Sequence, residues 1–363
     1  MMEPLKEMFN KKFYESLAHE FRKVDKHFDS KKFISSVTKD LDALELNQRL
    51  RKTTEVLREH LPTDYKKSIS LLKKVIPNVN RGYTTLVFPD FVGKYGKHDI
   101  TTSLEALKHF TKFGSSEFAV REFLKTDFDT TINAMGQWAE DKDPHVRRLA
   151  SEGSRPRLPW SFKLDNVIKD PQLTLPILEK LKSDEELYVR KSVANHLNDI
   201  SKEHPKFILD IVKNWKGSSP HTDWILKHAS RSLLKKGHPE LLAHFGIRHN
   251  AAIGTVSFKL LNSSIIVGED IQFSLILENT GNKKIKVRIE YALYFRIANG
   301  NLSKKVFKIS ERILNKQETI KLDRKHSFKL ITTRKYHAGA HKIALIINGK
   351  EGKPLDFKLK GLS

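Results

Sequence analysis

The sequence predicts a multidomain chain, an all-α solenoid of helical repeats over residues 1–247 followed by an all-β sandwich over residues 252–363. Three observations carry that reading. Apolar residues recur at helical spacing between proline and polar punctuation up to Ile247, a short motif returns within that stretch, and alternation replaces both afterwards. At 363 residues the chain can bury two separate cores.

In chain order, Leu5, Met8, Phe9, Phe13, Leu17 and Phe21 stand at helical spacing and predict an N-terminal core helix. Glu3 and Glu7 argue against a transit peptide. Pro62, Pro77, Pro144, Pro171, Pro205 and Pro239 then mark boundaries, because proline lacks the N–H that an interior turn needs. Thr102 to Glu105 and Ser183 to Glu186 have the spacing of a capping box. VRRLASE at 146–152 returns as VRKSVAN at 189–195 and, more weakly, as ILKHASR at 225–231. The offsets of 43 and 36 residues suit somewhat irregular paired-helix repeats of the HEAT type, about 40 to 47 residues long. Each such repeat buries one face only, so repeats stack and their concave side becomes a long binding surface.

After Ile247 the segments 255–260, 271–277 and 285–289 alternate apolar and polar residues. Asn279-Thr280-Gly281-Asn282 and Asn299-Gly300-Asn301 supply turns between such runs. About seven short strands in this length suit an immunoglobulin-like sandwich, without the Cys–Trp–Cys signature of antibody domains.

Charge narrows the partner. Lys and Arg number 66 against 43 Asp and Glu, a formal net charge of +23, which fits binding to a polyanion. Residues 250–363 hold 22 of the basic and 9 of the acidic residues, so under a third of the chain carries more than half of the excess. The absence of cysteine excludes disulfides and thiolate metal sites. No apolar run approaches the roughly 20 residues of a membrane helix, so a cytoplasmic protein without a membrane partner is expected. No phosphate loop, HExxH helix, EF-hand loop or GxSxG elbow occurs, and Ala338-Gly339-Ala340 inside the His337/His341 pair reads as a turn region rather than a metal helix.

The stretch DPHVRRLASEGSRPRLPW at 143–160 carries the chemistry. Asp143 is a candidate N-cap with Pro144 at the first helical position. Arg148, Glu152 and Arg155 at i, i+4 and i+7 place basic, acidic and basic groups on one face, while Pro156 and Pro159 end the helix and bring Trp160 to the same end. A carboxylate between guanidiniums, beside an exposed aromatic, suits a partner that is anionic and planar, as nucleic acid is.

At these residues the sequence resembles a known family. The block, with SSEFAVREFL upstream and YVRKSVANHLNDISKEHP downstream, looks like the DNA alkylation repair family, the HEAT-like-repeat DNA glycosylases of the AlkC/AlkD type. The AlkC branch is the closer match. The resemblance covers roughly residues 1–247, and the β-rich tail resembles the immunoglobulin-like domain of some members of that branch.

The resemblance implies a monofunctional DNA glycosylase that hydrolyses the N-glycosidic bond of cationic alkylated bases, 3-methyladenine and 3-methylcytosine, in duplex DNA. A cationic base leaves without a general acid, so the enzyme stabilises an oxocarbenium-like sugar and orients a water, with no cofactor. Matched position by position, Glu117 faces the lesion, Asp199 activates water, and Glu152 and Trp160 line the lesion site. Arg148 and Arg155 match residues that hold the DNA backbone, and Arg147 and Arg190 are further candidates for phosphate contact. Double-stranded DNA with alkylated bases is the expected partner, and no obligate protein partner is implied. The family also implies approach to the lesion through the backbone rather than extrusion into a tight pocket. Two other readings stay open on the residues alone: a non-catalytic nucleic-acid-binding solenoid, and a scaffold for an acidic protein.

Overall fold

Residues 4–331 and 334–361 are described in the computed structural model, and among them sixteen α-helices precede nine strands. The helices are α1 (Lys11–Val24), α2 (Ser30–Thr38), α3 (Leu46–His60), α4 (Tyr65–Val75), α5 (Val87–Tyr95), α6 (Ile100–Phe110), α7 (Glu117–Thr126) and α8 (Phe128–Trp138). They continue as α9 (Pro144–Gly153), α10 (Asp165–Lys169), α11 (Leu175–Leu181), α12 (Leu187–Ile200), α13 (Pro205–Trp215), α14 (Pro220–Ala229), α15 (Arg231–Lys235) and α16 (Pro239–His244).

Aspartate sets many of the starts. Asp29, Asp64, Asp99, Asp127 and Asp143 accept from the first free backbone N–H groups of α2, α4, α6, α8 and α9. This corrects one expectation. Thr102 lies inside α6 and donates its hydroxyl to the true cap, Asp99, while Glu186 is itself the residue before α12. The capping box found is Glu45 with Gln48, at the start of α3. The expected N-terminal helix is also divided. Asn10 caps α1 by accepting from the Phe13 N–H at 2.9 Å, and Leu5–Met8 forms a separate 3-10 turn with Leu5 and Met8 exposed.

Within the helical part, α3, α5, α7, α9, α12 and α14 pack one against the next as a single layer. α4, α6, α8 and α11 form a second layer in the same succession. The three copies of the sequence echo fall on α9, α12 and α14, neighbours in the first layer. Gly153, at the end of α9, lets that layer close. A Cβ there would stand 2.5 Å from Val120 Cγ1 and 3.1 Å from Met135 Cε.

The strands are β1 (Ile253–Leu260), β2 (Ser264–Ile266), β3 (Asp270–Asn279), β4 (Ile285–Arg296), β5 (Leu302–Leu314), β6 (Thr319–Ser327), β7 (Gly339–Ile347), β8 (Lys350–Glu351) and β9 (Leu355–Lys360). One sheet has the order β1-β3-β6; the other runs β2-β9-β7-β4-β5, with β8 paired to β7. Ile271, Phe273, Leu275 and Leu277 of β3 alternate inward and share one apolar core with Val287, Ile289 and Leu293 of β4 and Phe357 and Leu359 of β9. Two sheets on one core make the sandwich.

Contacts divide the chain into two compact units that do not follow the change from helix to strand. One holds residues 1–203 and 215–229; the other holds 204–214 and 230–363. In the second, the Asn348 side chain at the β7–β8 turn accepts from the Arg288 N–H and donates to the Arg248 carbonyl, which ties the segment after α16 to the sandwich.

Candidate active site

Three consecutive helices of the first layer supply the site. Glu117 occupies the first position of α7, where the helix dipole favours a carboxylate, and its preceding residue leaves that end open because Ser116 Oγ donates to the Leu107 carbonyl instead of capping. α9 presents Arg148 and Glu152, and Arg155 follows its C-terminal end. α12 presents Tyr188, Ser192 and Asp199.

These side chains form an alternating chain of charge. Arg148 Nη1 donates to Glu117 Oε2 at 3.1 Å and to Ser115 Oγ at 2.8 Å, and its Nη2 lies 3.6 Å from Glu152 Oε1. Glu152 Oε1 also accepts from Arg155 Nη1 at 2.7 Å, and its Oε2 accepts from the Ser192 hydroxyl at 2.7 Å. Arg155 then donates from Nε and Nη2 to Asp199 Oδ2 at 2.9 and 2.8 Å, and Lys202 reaches Asp199 Oδ1 at 3.2 Å. Glu117, Glu152 and Asp199 are 8%, 7% and 4% exposed. Burial opposes the charge on both guanidiniums, yet Glu117 and Glu152 beside Arg148, and Glu152 and Asp199 beside Arg155, outweigh it and raise both pKa values. Arg148, Arg155 and Lys202 balance the three carboxylates, so this linked row is neutral in formal charge. A buried ion network is a poor source of stability, so its retention calls for another use.

Comparison with known proteins bears on that use. Residues 91–233 match the family model of DNA alkylation repair enzymes, and residues 255–361 match that of the C-terminal Ig-like domain of the uncharacterised protein YhaZ. Over 359 residues the chain is 43% identical to the uncharacterized protein YhaZ of Bacillus subtilis strain 168, covering 99% of this chain and all of that one. The solved structure of the Pseudomonas fluorescens alkylpurine DNA glycosylase AlkC, bound to DNA containing an abasic-site analog, superposes with a TM-score of 0.95 at 40% identity, covering 99% of this chain and 100% of that one. The chain belongs to the DNA alkylation repair enzyme family. Its fold, helices followed by an Ig-like sandwich, is the fold of AlkC.

Within this family member the remaining candidates divide. α9 ends at Gly153, so Arg155 meets Glu152 from a turn beyond the helix rather than from a helical face. Arg147 points elsewhere. It grips Asp184 through Nε at 2.6 Å and Nη2 at 3.1 Å, and Arg190 donates to the Asp184 and Glu185 carbonyls, so both fasten the loop before α12. Trp160 is 88% exposed and lines a cleft of about 580 Å³ with Tyr83, Phe118 and Phe162, together with Arg51 and Lys94.

Two residues escaped the sequence reading. Arg121 of α7 is fully buried and donates to the carbonyls of Gly153, Arg155 and Phe162, which fixes the turn that carries Arg155. Burial and then the neighbouring Arg155 charge push its pKa down to about 10, so it stays a cation at neutral pH. Tyr188 lies with its ring 5.1 Å from the Arg148 guanidinium carbon, half-exposed beside the carboxylates. Burial raises its pKa first, and Glu117 and Glu152 add to that rise against Arg148. Nothing in their local sequence marks either one. Arg121 lies inside SSEFAVREFL, yet its partners come from beyond the end of α9.

Proposed function

We propose that this chain is a monofunctional DNA glycosylase that hydrolyses the N-glycosidic bond of cationic alkylated bases, 3-methyladenine and 3-methylcytosine, in duplex DNA. The observation that carries this is the buried row Glu117–Arg148–Glu152–Arg155–Asp199, three carboxylates held in fixed positions by two arginines. AlkC, an alkylpurine DNA glycosylase solved bound to DNA containing an abasic-site analog, supports an alkylated purine as substrate and DNA as partner.

The chemistry follows from charge. As the bond to a cationic base lengthens, positive charge moves to the sugar. Preformed carboxylates stabilise it without rearranging, and no proton donor is needed for the base. Glu117 faces the lesion from the start of α7. Asp199 holds two hydrogen bonds on Oδ2 and the Lys202 contact on Oδ1, and it aligns and deprotonates the attacking water. Glu152 lies between the two arginines and fixes their spacing. Trp160 offers an aromatic face to the base or its flanking sugar. Arg148 and Arg155 serve the carboxylates first, and Arg147 and Arg190 hold the loop beside them.

Base release from methylated duplex DNA tests the reading, comparing wild type with Glu117→Gln and Asp199→Asn. Both substitutions keep shape and remove charge. The expected outcome is release of methylated adenine or cytosine by wild type and a loss of about 10²-fold or more in at least one variant that still binds DNA. A folded, DNA-binding wild type that releases no base would end the proposal and its site roles together.

A further inference from the structure

Each of the four arginines proposed for phosphate contact has partners inside the protein. Arg148 and Arg155 bond carboxylates, Arg147 bonds Asp184, and Arg190 bonds carbonyls. One pocket beside the site offers further cations, without carboxylate partners among the described residues. It has a volume of about 320 Å³ and is lined by Leu86 and Phe113 together with Arg81, Lys112 and His145.

The pocket exists because two loops approach closely. Gly82 sits at a φ of 152°, and Gly114 has no room for a side chain, since a Cβ there would stand 2.4 Å from Thr85 Oγ1. The loop after Asn80 and the loop before α7 are thus held together. Arg81 lies over the Phe113 ring at 5.9 Å, which orients its guanidinium at the pocket without using its N–H groups. Neither Arg81 nor Lys112 has a carboxylate partner among the described residues. Lys112 feels Asp141, but that carboxylate is bonded by Lys108 at 2.9 Å. The pocket is coupled to the site at two points. Its wall residue Ser115 accepts from the Arg148 nitrogen that also donates to Glu117, and the His145 ring meets Tyr188 edge-on at 5.6 Å, whose own ring faces Arg148.

We infer that this pocket binds one backbone phosphate of the DNA, with Arg81 and Lys112 as its cations and His145 as a third donor. The inference rests on the DNA reading above and adds where the strand is gripped. A phosphate there is linked to Glu117 through Ser115 and Arg148, so the grip sets the register of the lesion along α7 and α9. Cations without a carboxylate partner, set beside Leu86 and Phe113, suit an anion held by several donors at once.

The test is equilibrium binding of the full chain to undamaged and abasic-analog duplexes over a range of salt, for wild type, Arg81→Gln, Lys112→Gln, the double variant, and Lys31→Gln as an exposed control. Melting curves check folding. In the double variant the slope of log affinity against log salt should fall by about 0.9, the value for one phosphate contact, and to the same extent on both duplexes. Lys31→Gln should leave it unchanged. A second arm replaces single phosphates by neutral methylphosphonate. One position should weaken wild type and leave the double variant indifferent. An unchanged slope in the double variant, or methylphosphonate losses that add to its own at every position, overturns the pocket while leaving the glycosylase reading intact. A folded wild type that binds neither duplex overturns both.

Discussion

At Trp160 the backbone enters the left-handed region, with φ at 63°, while the indole remains exposed. A bulky residue there carries strain of about 1–2 kcal/mol that no packing of its own side chain repays. Such strain points to a task for the indole. Trp160→Gly should match or exceed wild-type stability in chemical denaturation, and it should be more stable than Trp160→Ala by about 1 kcal/mol, because glycine alone enters this region freely. Base release should fall in both. Equal stability of the two variants would remove the strain argument, and undiminished release would remove Trp160 from the site. At this scale the sequence was partly legible. Glu117, Glu152 and Asp199 could be picked out by the motifs around them, and the structure joins them in one row. Arg121 and Tyr188 could not. Arg121 acts on carbonyls whose positions are set by the turn after α9, and Tyr188 meets Arg148 only because α9 and α12 are packed side by side.

The element that ties the site together is α12, which carries Tyr188, Ser192, His196 and Asp199 on one face, with His196 fully buried. His196 Nδ1 lies 3.0 Å from the Ser151 carbonyl, which can only accept, so Nδ1 carries the proton and Nε2 accepts from the Thr174 hydroxyl at 3.2 Å. Burial holds the ring neutral and pushes its pKa down to about 3, despite the Ser151 carbonyl, and Arg155 and Arg121 push in the same direction. The unfolded chain takes up a proton near pH 6.5 that the folded chain refuses until about pH 3. The contribution is therefore complete above pH 6.5 and shrinks as the pH falls through that window, by up to about 1.4 kcal/mol per unit. His326 in the sandwich, pushed down to about 4 by burial and then by Arg334, acts in the same sense over a narrower window. Denaturant melts between pH 7 and pH 4 should show this decline, and His196→Gln should flatten it; an unaltered slope would refute the assignment. Helix starts were legible where an aspartate or proline stood before an apolar stripe, as at Asp143 and Pro144. The end of α9 was not: the helix stops at Gly153, before either proline, at a position where a side chain would collide with Val120.

Charge acts at the scale of the whole molecule. Residues 250–363 hold 22 basic and 9 acidic residues, and many of the lysines alternate outward along strands whose other face is core. On β9, Phe357 and Leu359 are buried while Lys358 and Lys360 are exposed, a two-residue period that the apolar core imposes and that leaves the charge on the surface. The sequence made the sandwich legible through this alternation, but not the compact units, since α13, α15 and α16 are far from the strands in pattern and belong with them in contacts. That division changes the experiment the charge calls for. Removing residues 252–363 would cut through a compact unit that begins at His204 and Ser230, so weakened binding would report unfolding as readily as lost charge. Neutralising Lys353, Lys358 and Lys360 to Gln in the intact chain avoids this, because all three are exposed and carry no core contact. If the basic face of the sandwich touches DNA, the triple variant should bind duplex more weakly at low salt, with a shallower salt slope and an unchanged melting temperature. Equal affinity and slope would assign these lysines to solvation alone, and would leave the helical layers to bind DNA without them.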